Sequence, residues 1–209
     1  GFRDDRRTPL PSHRACDVAV GDLDGDGRAE IVLCQAHTAE SYTTASRILR
    51  ASRRGGARVA AELATEDARR VFLLHGPDRL HPHVAFVNHS SRDLTGQIPA
   101  YVYRSGPDGF AADRRWEVPA FGAVESLGCD LNDDGLPDLV LANAAENAVS
   151  RDPGSFVYLN TGTGLPAGPT WSLPTTRAHG VCCADLNRDG YLDLVFCGFD
   201  NPELVIFHG

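Results

Sequence analysis

The fold is decided by the stretch Asp185-Leu186-Asn187-Arg188-Asp189-Gly190-Tyr191-Leu192-Asp193, which runs directly into the apolar segment Leu194-Val195-Phe196. Side chains that carry oxygen stand at loop positions 1, 3, 5 and 9, and glycine stands at position 6. Calcium prefers oxygen ligands, and the first half of this stretch has the spacing of an EF-hand loop. The flanking residues have strand character, with no helical periodicity, so the pattern predicts a cation loop that leads into a β-strand.

The same pattern occurs at two other places in the chain. The stretch 130–138 precedes Leu139-Val140-Leu141, and the stretch 22–30 precedes Ile31-Val32-Leu33. A single acidic stretch with a glycine is as readily a solvated turn. Because three stretches fill the same positions and each leads into an apolar segment, the sequence predicts three calcium sites.

The spacing of the loops indicates a repeat that has lost its acidic residues. The loops start at residues 22, 130 and 185, so one interval is 55 residues and the other is 108. A hidden repeat is therefore expected near residue 75. The stretch 75–83 has His75, Pro77, Arg79 and His83 at the ligand positions, and we expect no calcium there.

The repeats predict an all-β chain. Four units of roughly 54 residues, each with four short strands, are typical of β-propeller blades. We expect one domain over 1–209 with blades centred on 22–30, 75–83, 130–138 and 185–193. The segment 1–11 resembles the residues from Gly109 onward, and we expect it to supply the missing strand of the last blade. Three assemblies are compatible with these repeats: a four-bladed ring, half of an eight-bladed dimer formed by strand exchange, and part of a larger propeller.

Composition narrows the classes of partner. The formal net charge is −8, and all 20 basic residues are arginines without a continuous basic tract, which argues against nucleic acid. No apolar run is long enough for a membrane-spanning helix, so we expect no membrane insertion. The absence of methionine indicates a processed or excised segment. The cysteines at 16, 34, 129, 182, 183 and 197 are expected to be buried free thiols, with one or two disulfides as the alternative.

With these loops at this period, the chain resembles the FG-GAP/VCBS repeat family, the calcium-loop β-propellers that include the integrin α-subunit head. Phe121-Gly122-Ala123 matches the Phe-Gly part of the name, whereas a Gly-Ala-Pro part is not evident, so the similarity is closer to the VCBS type. The resemblance implies a secreted or cell-surface protein with side-chain calcium ligands at Asp22, Asp24, Asp26, Glu30, Asp130, Asn132, Asp134, Asp138, Asp185, Asn187, Asp189 and Asp193. It also implies ligands from the position-7 carbonyls of Arg28, Leu136 and Tyr191.

Two functions are compatible with the sequence. The first is a non-catalytic binding or adhesion module for carbohydrate or protein, with candidate contacts at Tyr42, Arg53, Arg54, Arg92 and Trp116. Trp116 shares a repeat position with Trp171, which favours packing between blades for both.

The second is an enzyme, since similar propellers belong to polysaccharide lyases or sugar dehydratases. His13 and His179 are the only weak candidates for a catalytic role in such an enzyme. Because no known catalytic motif is present, we predict no catalytic residue.

Overall fold

The computed structural model describes residues 3, 5, 7–52, 55–75, 81–92, 96–106, 109–110, 112–145, 151–199 and 201–209. Its regular structure is almost entirely antiparallel β-sheet and includes a short 3-10 turn at Ala112–Arg114. The first sheet contains β1 (Ala15–Gly21), β2 (Glu30–Gln35), β3 (Thr43–Ala51) and β4 (Ala57–Glu66). The second contains β5 (Ala68–Leu74), β6 (His83–Asn88), β7 (Ala100–Tyr103) and β8 (Arg115–Val118). The third contains β9 (Ala123–Cys129), β10 (Asp138–Asn143), β11 (Ser155–Tyr158) and β12 (Trp171–Leu173). The last contains β13 (Ala178–Ala184), β14 (Asp193–Gly198) and β15 (Leu204–Phe207).

The sheets confirm the predicted all-β, blade-like architecture. Within each sheet the strands lie in chain order, so every connection is a simple antiparallel hairpin. The hidden repeat around residue 75 forms the second sheet. Three sheets have four strands, and the last has three among the described residues.

Consecutive sheets pack face to face, which explains why the second strand of each repeat is a continuous apolar run. In β10, Leu139 and Leu141 pack against the second sheet, whereas Val140 and Ala142 pack against the fourth. Successive side chains of a strand point to opposite faces, so a strand between two sheets buries both sets. The core therefore consists of three clusters, one between each pair of consecutive sheets.

The outward faces of the first and last sheets are exposed. Val18 and Val20 of β1 are 54% and 60% exposed, and Ile206 and Leu204 of β15 are 46% and 67% exposed. A closed four-bladed ring would bury these faces against each other. Ring closure within one chain is thus not seen among the described residues, and the two larger assemblies stay open.

The segment 1–11 is not in a strand at its described residues, 3, 5 and 7–11; the remaining four lie outside the described part of the chain. Arg3 and Asp5 instead form a local ion pair of 2.8 Å. The segment is charged and lacks the apolar alternation that would let a strand bury one face. In the described residues β15 is accordingly the outermost strand of the last sheet.

All six cysteines are free thiols. Only Cys34 is fully buried, so the expectation of buried thiols holds for this residue, whereas three of the others are exposed. Cys16 and Cys34 approach each other most clearly, with 3.8 Å between their sulfur atoms. Within the described ranges, the structure has no helix whose length and apolar character would let it span a membrane.

Candidate metal loops and a candidate ligand cleft

The three acidic loops occupy equivalent places, because each connects the first strand of its sheet to the second. The acid at position 9 is the first residue of that second strand, and it is buried in every case, at Glu30, Asp138 and Asp193. One oxygen of each accepts a hydrogen bond from the backbone N–H at loop position 2, at 3.0, 2.8 and 2.9 Å respectively. The buried acid therefore fixes the start of the loop to its end.

The acid at position 1 closes the turn. The two oxygens of Asp130 accept hydrogen bonds from the N–H groups of Asp134, at 3.1 Å, and Gly135, at 2.7 Å. Asp185 makes the same two contacts at 3.1 Å each. In the first loop Asp22 receives the N–H groups of positions 4 and 6, both at 2.8 Å. The loops are thus ordered by their own carboxylates before any cation is considered.

Positive φ angles occur at two positions of every loop. Position 6 is glycine throughout, with φ of +81° at Gly27, +82° at Gly135 and +97° at Gly190. A Cβ at Gly27 or Gly190 would meet nothing within 4 Å, so backbone conformation, and not crowding, accounts for the glycine. Position 4 is also left-handed, at Gly25, Asp133 and Arg188, a feature that the sequence pattern did not predict.

Among the described residues, no arginine or histidine forms an ion pair with Asp130, Asp134 or Asp138 of the second loop. Burial raises the pKa of Asp138, and the nearby carboxylates of Asp134 and Asp130 raise it further, while backbone N–H groups oppose the shift. The second oxygen of Asp138 accepts the N–H of Asn160 at 2.8 Å. Negative charge is therefore concentrated here, as a cation-binding loop requires.

In the third loop, the carboxylate of Asp193 is contacted by His208 and Gly209. Nδ1 of His208 lies 3.0 Å from an oxygen of Asp193, and the N–H of Gly209 donates to the same oxygen at 3.2 Å. The N–H of Leu186 and these two contacts hold the pKa of Asp193 below its ordinary value, although burial opposes them. The carboxylate is thus stabilised in its charged form.

In the first loop an arginine from the neighbouring strand reaches the acids. Arg50 Nε lies 3.0 Å from Glu30 Oε1, and another guanidinium nitrogen contacts Asp24. Asp22, Asp24 and Glu30 each offer an oxygen within 4.8 Å of the others, the one group of this kind among the described residues. Sequence reasoning missed Arg50, because only the pairing of β2 with β3 sets it opposite Glu30.

The donor sets of the second and third loops fit calcium, since positions 1, 3, 5 and 9 supply only carboxylate and amide oxygens. The first loop has the same positions, but two of its acids already bind a guanidinium. The ligand roles of the position-7 carbonyls stay predictions. In the degenerate repeat, residues 76–80 lie outside the described part of the chain, so the expected absence of calcium there also stays a prediction.

A cleft of ≈ 420 Å³ lies at the ends of the sheets opposite to the acidic loops. Tyr42 and Arg92, which the sequence offered as ligand contacts, both line it, together with Tyr101, Glu40 and Glu66. The structure therefore brings two of the predicted contacts into one cavity.

The other predicted contacts lie elsewhere. Arg53 and Arg54 are outside the described residues. Trp116 packs between the second and third sheets, as expected, whereas Trp171 is half exposed.

A histidine–aspartate pair stands beside this cleft. Nδ1 of His37 lies 2.8 Å from Oδ1 of the buried Asp67, and the ring of His37 stacks on Tyr42 with 5.1 Å between centroids. No sequence pattern indicates this pair, since its members are 30 residues apart.

The two histidines named from the sequence have structural partners. His179 donates from Nδ1 to the carbonyl of Arg177 at 3.0 Å, and the N–H of His13 donates to Gln35 at 3.3 Å.

Comparison with protein-family models identifies one repeat type in this chain. Residues 130–196 match the FG-GAP-like repeat. The matched stretch contains the two loops whose donor sets fit calcium, and it confirms the FG-GAP part of the resemblance for these residues. No curated protein matches the chain significantly.

Proposed function

We propose that the chain is a calcium-stabilised, secreted array of propeller blades that acts as a non-catalytic binding module for carbohydrate or protein ligands. The observation that carries the proposal is the repeated loop geometry, in which a buried acid at position 9 and a turn-closing acid at position 1 recur at each intact hairpin. Extracellular calcium concentrations fill sites with dissociation constants as weak as about 10⁻⁴–10⁻³ M.

Calcium in the loops 130–138 and 185–193 serves stability and takes no part in a reaction. Each loop carries three aspartates at its ligand positions, and a divalent cation bound between them would remove their mutual repulsion. The same cation holds the first strand of the blade to the second. An ion that binds only the folded chain adds about 2.7 kcal/mol of stability per site at one hundred times its dissociation constant.

The cleft beside Tyr42 supplies the ligand site of this proposal. Its aromatic rings offer apolar faces, and Arg92, Glu40 and Glu66 offer charged hydrogen-bonding groups around them. Apolar faces with a few polar groups suit a sugar ring, which presents C–H and hydroxyl groups together. The same groups bind a polar protein side chain, so a protein ligand is the other outcome of the test.

Binding to an array of neutral and acidic oligosaccharides tests this site. We expect the calcium-loaded chain to retain at least one oligosaccharide, and Tyr42→Ala or Arg92→Ala to weaken that binding at least about tenfold. Trp171→Ala is the control, because it removes a half-exposed aromatic side chain far from the cleft in sequence. Retention of no oligosaccharide, or equal binding by all variants, contradicts the carbohydrate site.

An enzyme is the second candidate, and the His37–Asp67 pair is the observation that favours it. A buried carboxylate that orients a partly exposed imidazole is a common arrangement for a general base. A polysaccharide lyase of this kind converts a uronic-acid polymer to an unsaturated product that absorbs ultraviolet light. If the wild-type chain forms this product and His37→Ala does not, the enzyme replaces the binding module as the proposed function.

A second copy of the chain is the proposed partner for assembly. In the third sheet, Val140 and Val157 pair with each other and pack on the fourth sheet. Val195 and Ile206 form the equivalent pair in the fourth sheet, so the exposed face of β15 is equivalent to a face that packs on a further blade. Two chains that join such faces, with or without exchange of strands, give an eight-bladed ring.

A further inference from the structure

Arg50 distinguishes the first acidic loop from the other two. We propose that its guanidinium is the resident cation of the loop 22–30, so that this loop is closed by the protein itself and calcium binds only at 130–138 and 185–193. The inference rests on the calcium role proposed above and would reduce the three predicted calcium sites to two.

The contacts of Arg50 occupy the groups that a metal ion would need. Its Nε donates to Glu30 Oε1 at 3.0 Å, and a second guanidinium nitrogen pairs with Asp24. The side chain of Glu30 is almost fully buried, whereas those of Arg50 and Asp24 are 30% and 28% exposed. Arginine stays charged at any physiological pH, so this positive charge is permanent.

Glutamate at position 9 is matched to the arginine. Glu30 keeps the contact that its aspartate counterparts make, because one oxygen accepts the N–H of Leu23 at 3.0 Å. Its additional methylene lets the other oxygen reach Arg50. In the second loop the corresponding oxygen of Asp138 receives the backbone N–H of Asn160 instead. The departure from aspartate in the first loop therefore has a structural reason.

The other two loops carry different residues in the same register. Glu30 pairs directly with Arg50 across β2 and β3. Extension of the β10–β11 register by one residue sets Leu159 opposite Asp138, and the same extension sets His208 opposite Asp193. The second loop thus has an uncharged side chain where the first has a guanidinium, which provides a comparison within one chain.

A calcium ion and the guanidinium compete for the same oxygens. Asp22, Asp24 and Glu30 each offer an oxygen within 4.8 Å of the others, and Arg50 already pairs with two of these acids. A divalent ion bound there would lie beside a permanent positive charge, and like charges at such separations repel strongly. Calcium must displace Arg50 before it binds, and this lowers the affinity of the first loop relative to the second.

Calcium stoichiometry measured by equilibrium dialysis tests the inference. We expect Arg50→Leu to bind one more calcium ion than the wild-type chain. The reciprocal double variant Asp138→Glu/Leu159→Arg is expected to bind one fewer than Asp138→Glu alone. Arg47→Leu is the matched control, since it removes an arginine from the same strand whose partner, Glu62, lies outside the loop. This control is expected to leave the stoichiometry unchanged.

Unfolding in a chelator separates this inference from the calcium proposal. Without metal, Arg50→Leu is expected to lower the thermal midpoint more than Arg47→Leu, because Asp24 and the buried Glu30 lose the guanidinium that pairs with them. The inference is overturned if the wild-type chain binds three calcium ions, or if Arg50→Leu folds and binds no additional ion. Neither result contradicts calcium binding at the loops 130–138 and 185–193. Wild-type binding of no calcium overturns the proposed calcium role; equal chelator midpoints for the two variants then overturn the role of Arg50 independently. If Arg50→Leu does not fold, equal calcium stoichiometry in Asp138→Glu/Leu159→Arg and in Asp138→Glu overturns it.

Discussion

Oδ1 of Asp67 lies 2.8 Å from Nδ1 of His37, and the two residues join the connection between the first and second sheets to the end of β2. The other oxygen accepts hydrogen bonds from Arg69 at 3.0 Å and from the hydroxyl of Ser90 at 3.1 Å. Burial raises the pKa of Asp67, but the backbone and side chain of His37 and the charge of Arg69 outweigh it, so the pKa lies below its ordinary value. The carboxylate therefore stabilises the contact between the sheets while it is charged.

Asp67→Asn is expected to reduce the free energy of unfolding by about 1.5–3 kcal/mol, the range for hydrogen bonds to a charged group. Because the folded chain binds this proton more weakly than the unfolded chain, the stabilisation is present above the unfolded pKa of about 3.9. It is lost as the pH falls through the lower folded pKa. Urea unfolding between neutral and acidic pH measures this; equal acid sensitivity of both proteins would contradict the assignment.

Two aspartates of the second loop provide a matched test of the ligand positions. Asp138 is buried at position 9, whereas Asp133 is exposed at position 4 with φ of +58°, and asparagine tolerates either backbone. Asp138→Asn is expected to weaken calcium binding at this loop by about tenfold or more, since it removes a buried ligand charge. Asp133→Asn removes the same charge from the surface and is expected to change the affinity less than about twofold. Equal effects in calorimetric titration would contradict the ligand assignment.

The thiol of Cys16 is expected to react before the other exposed thiols. Its hydrogen bond with Cys34 lowers its pKa to about 7, and Arg69 and Arg70 assist, although burial opposes the shift. The thiolate is the nucleophile, so alkylation near pH ~7 should label Cys16 ahead of Cys182 and Cys197. Cys34→Ala should slow this labelling. Peptide mass spectrometry of partly alkylated protein follows the order, and simultaneous labelling of all three would contradict it.

The exposed face of the last sheet gives a prediction for assembly. In calcium we expect a mass of twice 22.5 kDa by light scattering, and Ile206→Asp should return it to 22.5 kDa, because a charge on a buried contact face is costly. Ala167→Asp is the control, since Ala167 is exposed between β11 and β12. A wild-type chain that stays at the single mass excludes the homodimer.

Sequence reasoning predicted the features that depend on local chemistry. The loops were visible because a cation turn needs acids and a glycine at fixed spacing, and the degenerate repeat was visible because its apolar strands persist after the acids around His75 are lost. The position of the second strand in each sheet was predictable too, since an apolar run such as 139–142 is buried on both faces.

The missed features depend on register or on contacts between distant segments. Arg50 meets Glu30 only through the pairing of β2 with β3, and His37 meets Asp67 only where two sheets adjoin. The strand expected at 1–11 was inferred from similarity to a repeat in which the corresponding residues bury Trp116 between sheets. In the described part of the N-terminal segment Thr8 stands at the repeat position of Trp116, and similarity of charged residues alone does not specify a strand.

The central claim is that calcium stabilises the blades, and the thermal unfolding midpoint in calcium against chelator, at matched ionic strength, tests it most directly. About 2.7 kcal/mol per saturated site and about 2–4 °C per kcal/mol for a chain of this size give a rise of roughly 5–10 °C per occupied loop. We predict a rise of that size from each of the loops 130–138 and 185–193, and Asp138→Asn is expected to reduce the total. An unchanged midpoint in saturating calcium would contradict the account.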